Sequence, residues 1–210
     1  MVIVYAVLAV GLYTPLSVIA DLWGVAYLMA KYGLARGDAA EVSMTMYIGL
    51  CVGSLLLPWL SEKYNVLNRT IMICTYGIFF TFLTILIAPQ LPIMGITALI
   101  LLLGAFGGAE MLCFTGVVLY APKGRTGITL GITNTVNMIG GALAQQSVGL
   151  ILDRFLWNGA LDTHGNHFYK SEDYALAFSF LVVIIALCCL VSHYLKRDSS
   201  HVNTGSKCIT

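Results

Sequence analysis

Two carboxylates sit where a carboxylate is costly. Asp21 lies in Ile19-Ala20-Asp21-Leu22-Trp23-Gly24, and Glu110 in Gly104-Ala105-Phe106-Gly107-Gly108-Ala109-Glu110, both deep inside long apolar runs. An acid in such surroundings either finds a partner on a neighbouring helix or binds a cation or a proton. Both readings stand for each residue. Thr14 and Ser17 share the helical face of Asp21 and make a polar stripe. Pro15, within the same run, removes a backbone donor and frees a carbonyl beside the stripe. That stripe suits the binding of a substrate amine. Phe106 and Phe114 stand one turn either side of Glu110 and give it the apolar shell a proton-carrying acid needs. A third polar set, Asn134, Asn137, Gly141 and Gln145, falls on one face of a later run. Amides at that depth need partners, and bonding between helices outweighs substrate contact for them.

Other residue clusters carry less chemistry. Asp162-Thr163-His164-Gly165-Asn166-His167 contains metal-ligating types. Its glycine and asparagine read as an ordinary turn, and no metal or other cofactor is expected. The six cysteines are scattered without metal-ligand or disulfide spacing. None of the four histidines sits in the middle of an apolar run, which argues against a membrane-embedded enzyme with a clustered nucleophile and base.

The elements that must position these residues follow from composition. The 210 residues are 59% hydrophobic and 10% charged, and the apolar residues fall into six long runs without period-two alternation. A helical crossing of a bilayer needs about 20 apolar residues, and lipid tolerates no loose backbone. The chain therefore reads as an all-α polytopic membrane protein, with helices over 3–30, 40–61, 70–88, 93–120, 126–153 and 174–195. The six-helix domain covers 1–198, and a short tail covers 199–210. Asp38 is the expected N-cap of the second helix. A net charge of +1 without a basic cluster excludes a nucleic-acid partner.

Loop charges give an orientation. Lys63, Arg69, Lys123, Arg125, Lys196, Arg197 and Lys207 fall on one side, and Lys31, Arg36, Arg154 and Lys170 on the other. The side with more Lys and Arg is cytoplasmic by the positive-inside rule, which puts both termini there, in a bacterial inner membrane. An internal repeat is also visible. Asp21 and Glu110 are about 90 residues apart, as are the pairs Glu62-Lys63 and Asp153-Arg154 that end the second and fifth helices. Three crossings per unit require the second unit to be inverted, with a binding site between the units near the midplane.

The second helix ends Gly53-Ser54-Leu55-Leu56-Leu57-Pro58-Trp59-Leu60-Ser61-Glu62-Lys63, and Arg69 follows. A glycine, an acidic–basic pair, a short turn and a downstream arginine resemble the signature loop of the major facilitator superfamily. Pro58, Glu62 and Lys63 stand where that loop carries glycine, aspartate and arginine, and Asn68 interrupts its basic pair. Gly149-Leu150-Ile151-Leu152-Asp153-Arg154 resembles the end of the family's eleventh helix. The resemblance covers the chain as the carboxy-terminal six helices of a twelve-helix transporter. It implies that the first and fourth helices line a central cavity and that Gly53, Glu62, Lys63 and Arg69 serve gating. The Trp23-Gly24 stretch and the long loop ending in Tyr174 also resemble a branch of phagosomal amino-acid transporters and lysosomal dipeptide carriers.

The resemblance implies a secondary transporter working by alternating access, with a small polar solute and a proton as ligands and the bilayer as solvent. Two cavity acids and no Lys or Arg deep in a helix favour an amino acid or small peptide over an anionic solute. The amino-terminal six helices of the family pattern are missing. A gene fragment, a truncated frame and the pairing of two copies all fit this, and a non-transporting interaction module is the alternative function.

Overall fold

The computed structural model describes residues 1–161 and 167–202, with side chains through His193 and at Leu195. Residues 162–166, where most of the metal question falls, and 203–210 of the tail lie outside the described residues. Among the described residues eight α-helices follow in order: α1 (Val2–Val18), α2 (Gly24–Tyr32), α3 (Arg36–Tyr64), α4 (Leu67–Ile87), α5 (Ile93–Gly107), α6 (Glu110–Tyr120), α7 (Thr126–Ile151) and α8 (Ser171–Val202). Wider π turns, Ile19–Trp23 and Leu152–Leu156, join α1 to α2 and extend α7. Among the described residues the only β pairing is one antiparallel bridge, Leu161 with His167.

Several breaks have local causes. α2 stops at Gly33, whose φ of 65° is left-handed and costs glycine nothing. α3 stops at Asn65, with φ 52°, where Val66 N–H donates to Ser61 O at 3.0 Å and Asn65 N–H to Glu62 O at 3.2 Å. Two such bonds satisfy the last carbonyls of the helix. Pro92 precedes α5, its fixed φ suiting a helix start. Asp38 is not the N-cap of α3: the helix begins at Arg36 after an extended Ala35. Asp38 lies in the first turn instead, where its charge complements the helix dipole.

Among the described residues, five helical stretches are long and apolar enough to cross a membrane: Val2–Tyr32, Arg36–Tyr64, Leu67–Ile87, Ile93–Tyr120 and Ser171–His193. The sequence led us to expect six. The 26 residues of α7 span about 39 Å, which is length enough. Thr133, Asn134, Thr135, Asn137, Gln145 and Gln146 dilute its apolar character below that of the others. The described helices otherwise carry their apolar side chains outward as well as inward. Leu55, Trp59, Phe80, Leu119, Ile128 and Leu143 are all at least half exposed. In water such a surface is a liability, and in hydrocarbon it is the expected one.

α1 is the central helix, with Tyr5, Leu8, Ala9, Leu12 and Val18 almost fully buried. It packs on α7, α6 and α8, while α3 packs on α5 and α4 on α8. The α3–α5 seam is made of backbone. A Cβ on Gly104 would overlap the Met46 carbonyl, and one on Gly49 the Leu101 carbonyl. A Cβ on Gly53 would overlap the Ala105 carbonyl, and one on Gly108 the Gly53 backbone. Gly49 and Gly53, and Gly104 and Gly108, are each four apart, the small-residue spacing that lets helices touch in lipid.

Lys31 ties α2 to α4. Its Nζ donates to Ile85 O at 2.9 Å, Ala88 O at 3.0 Å and the Tyr27 hydroxyl at 3.0 Å. The ammonium thereby caps the negative end of α4. Replacing Lys31 with methionine keeps the stem and takes the donor from the Ala88 carbonyl, while Ile85 O keeps the Tyr27 hydroxyl at 2.9 Å. The expected loss is about 1–3 kcal/mol, read from denaturant unfolding of the purified chain in detergent.

Candidate functional site

One face of α7 organises the polar residues. Asn137, Gly141 and Gln145 succeed one another at intervals of four, so they stack along the helix. Asn137 is fully buried, and its Nδ2 donates to Glu110 Oε1 at 2.7 Å. Glu110 is 6% exposed and begins α6, where the expected continuous 93–120 helix is interrupted at 108–109. The break is seated on the glycine seam, since Gly108 lies against Gly53. The second amide atom, Asn137 Oδ1, is buried without a partner.

One turn on, Gly141 meets α1. A Cβ at Gly141 would overlap the Tyr13 ring, and it would lie 3.1 Å from Ser17 Oγ. Ser17 Oγ donates to Gly141 O at 3.2 Å. A turn further, Gln145 Nε2 donates to Ser17 O at 2.8 Å and reaches Asp21 Oδ2 at 3.5 Å. Trp23 Nε1 donates back to Gln145 O at 3.0 Å. Asp21 itself is exposed and lies in the π turn, and the Tyr47 hydroxyl of α3 donates to its Oδ1. Wide turns of this kind recur at functional sites because they turn a side chain off the helical register. The carbonyl freed by Pro15 is not left open: Thr14 Oγ1 donates to Gly11 O at 3.1 Å.

The polar face of α7 therefore meets Glu110 of α6 near one end and Asp21 near the other, with Ser17 between. Thr14 is buried in its bond to the Gly11 carbonyl. Asn134 is exposed and stands apart from Asn137. Gly53 is buried in the helix seam, and Glu62, Lys63 and Arg69 are exposed away from the acids. Lys63 Nζ lies 4.8 Å from the Trp59 ring centre. Glu62 and Arg69 share a cleft of about 690 Å³ with Tyr5, Asn68 and Tyr120. A second groove of similar volume, between α1, α7 and α8, is apolar. Neither holds Asp21 or Glu110, so the polar face of α7 is the better candidate on its chemistry.

Sequence reasoning missed Tyr13 and Tyr47, and singled out Trp23 only as part of a family resemblance. Tyr13 had a signal: Tyr13, Ser17 and Asp21 recur every four residues on one helix. Tyr47 had none, because its partner is 26 residues away on another helix.

A second cluster lies at the end of α7 nearer Asp21. His167 Nδ1 is 3.0 Å from Asp153 Oδ1, and the Tyr169 hydroxyl donates to the same oxygen. The His167 ring stacks on Trp157 with centres 3.8 Å apart. Tyr169 meets Tyr174 edge-on, and Tyr174 lies beside Trp23. Among the described residues no group of three ligands suits a metal ion. The Tyr169 hydroxyl, then His167, hold the Asp153 carboxyl below its usual range. A carboxylate with a lowered folded pKa stabilises the native form above its unfolded value, about 3.9, and that gain is lost as pH falls through the folded value. Phe168 N–H donates to Ala160 O at 3.0 Å. Asp153→Asn is expected to speed hydrogen exchange at Phe168 near neutral pH and to match wild type in acid.

The chain is 29% identical, over 142 residues, to the glycerol-3-phosphate transporter of Bacillus subtilis. The match covers 65% of this chain and 32% of that protein, so the chain aligns with about a third of its relative. No family model and no solved structure matches. The similarity is to a transporter. With the long apolar helices, it points to an integral multi-pass membrane protein.

Proposed function

We propose that the chain is one six-crossing half of a secondary transporter of the major facilitator type. It moves a small amine-bearing solute, an amino acid or a small peptide, by alternating access, coupled to protons. α7 is the sixth crossing, its polar face turned to the cavity. The two units of three crossings are inverted relative to each other, and both termini are cytoplasmic. A complementary half or a second copy closes the cavity over Asp21, Tyr47 and Asn134.

The observation that carries this reading is the placement of Asp21 and Glu110 along one polar face of α7. One carboxylate is open, beside Tyr47 and Trp23, and suits an ammonium group. The other is buried and held by an amide, which suits a proton. A phosphate ester, as in the name of the Bacillus relative, is the weaker choice here, because these helices place acids on the polar face and no arginine.

The test is uptake into proteoliposomes under an inward proton gradient. Labelled amino acids and dipeptides are compared with glycerol 3-phosphate, using the chain alone and together with a complementary half. We expect no uptake by a demonstrably monomeric chain and proton-dependent uptake of an amino compound by the completed assembly. Uptake of glycerol 3-phosphate alone overturns the substrate class. A separate prediction concerns topology: a reporter after Thr210 is active only in its cytoplasmic format, and one inserted at Gly165 behaves as external. The reverse pattern excludes the orientation, and reporters on the same side exclude six crossings.

A further inference from the structure

We infer that Tyr13 is a relay residue, whose hydroxyl carries protons between the open carboxylate of Asp21 and the buried carboxylate of Glu110. The inference rests on the transport reading above, and it names how the buried acid of that site exchanges its proton.

Glu110 needs such a route. It is 6% exposed, and Asn137 covers one of its oxygens, so water reaches it poorly. Asp21 is exposed. On α7, Asn137 holds the first acid and Gln145 reaches the second, eight residues or about 12 Å along the axis. Midway stands Gly141, and the Tyr13 ring lies against it because that residue has no Cβ. The Tyr13 phenol is within electrostatic reach of both Asp21 and Glu110, and also of Tyr47. Tyr47 in turn donates to Asp21. Among the described residues the Tyr13 hydroxyl makes no hydrogen bond of its own, although nearly every other polar group on this face does. A phenol is both donor and acceptor, so it passes a proton without holding a charge.

The step balances. The Tyr13 O–H bond breaks as its proton passes through water to a Glu110 oxygen, and the phenolic oxygen takes a proton from the Asp21 side. Asp21 is refilled from the aqueous cavity. The titratable neighbours are Asp21 on the same helical stretch, Tyr47 from α3, Glu110 and Cys113 from α6, with Cys188 of α8 and Cys74 of α4 behind Cys113. Asn137, Gly141 and Gln145 face the phenol from α7 and do not titrate.

The experiment needs no substrate. The full chain in lipid is subjected to a pH jump, and the carboxylic-acid C=O stretch assigned by Glu110→Gln is followed by infrared spectroscopy. Tyr13→Phe keeps the ring on Gly141 and removes the hydroxyl. We expect the Glu110 band to respond at least roughly tenfold more slowly, with its titration midpoint and the thermal unfolding of the chain unchanged. Asp21→Asn should slow the band similarly. Gly141→Ala, which displaces the ring and keeps the hydroxyl, covers the case in which Tyr13→Phe does not fold and should slow the band too. An unchanged rate in Tyr13→Phe, or in Gly141→Ala where that variant stands in, overturns the relay. So does the absence of any Glu110 band that titrates. A normal relay without amino-compound uptake sinks the transport reading alone, and normal uptake with an unaltered band rate sinks the relay alone.

Discussion

Gly104→Val yields no folded chain. The new side chain has to enter the space of the Met46 carbonyl, and the only atoms available to yield are backbone. Separating α3 from α5 also lifts Gly49 and Gly53 off Leu101 and Ala105, so the contact fails along its length. Ordinary overpacking costs about 1–3 kcal/mol, and a clash with backbone on both sides exceeds it. The expected readout is loss of the monodisperse peak in detergent and degradation in the membrane. Gly104→Ala tests the cause. It adds the single carbon that already overlaps the Met46 carbonyl, so it should be markedly destabilised and still partly recoverable. By contrast Gly127→Ala, at a position where a Cβ meets open space, should be neutral. Equal behaviour of the three variants would show that the seam is not a backbone contact.

The second large effect concerns coupling. In a completed transporter, Glu110→Gln should abolish proton-driven accumulation while substrate exchange between two pools continues, because exchange moves no net proton. Glutamine still accepts the 2.7 Å bond from Asn137, so the helix packing survives. Asp21→Asn should weaken accumulation and exchange together, because the solute loses its counter-charge. Uphill transport that persists in Glu110→Gln refutes the coupling role. Loss of both activities in Glu110→Gln makes that residue a substrate ligand or a structural one.

The sequence made some of this legible and hid the rest for physical reasons. Apolar runs located the helices because lipid and core both require them, so even the uneven α7 was found by its length. The breaks were less visible. The interruption at 108–109 and the π turn at Ile19–Trp23 arise where helices contact one another, and a single run carries no record of its neighbour. Asp38 fitted the capping rule by residue type, but α3 begins two residues earlier at Arg36. Both acids were found because charge in an apolar run stands out. Their partners were not paired with them: Asn137 is 27 residues from Glu110, and Gln145 is 124 from Asp21. The amides were read as bonding between helices, and two of them, Asn137 and Gln145, do bond across to α6 and to α1. Tyrosine hides its chemistry in an apolar background, and Tyr13 and Tyr47 were passed over for that reason.

The glycine seam also bears on mechanics. Most helix pairs meet through a layer of side chains that can change rotamer, so one helix can slide on the other by small repacking steps. α3 and α5 have no such layer along Met46–Ser54 and Leu101–Gly108, where main chain rests on main chain. A contact of that kind has little to rearrange, and it resists shear as a welded joint does. The pair then moves as one girder, and any rocking of the bundle must be taken up at seams lined by side chains, above all where α1 lies along α7.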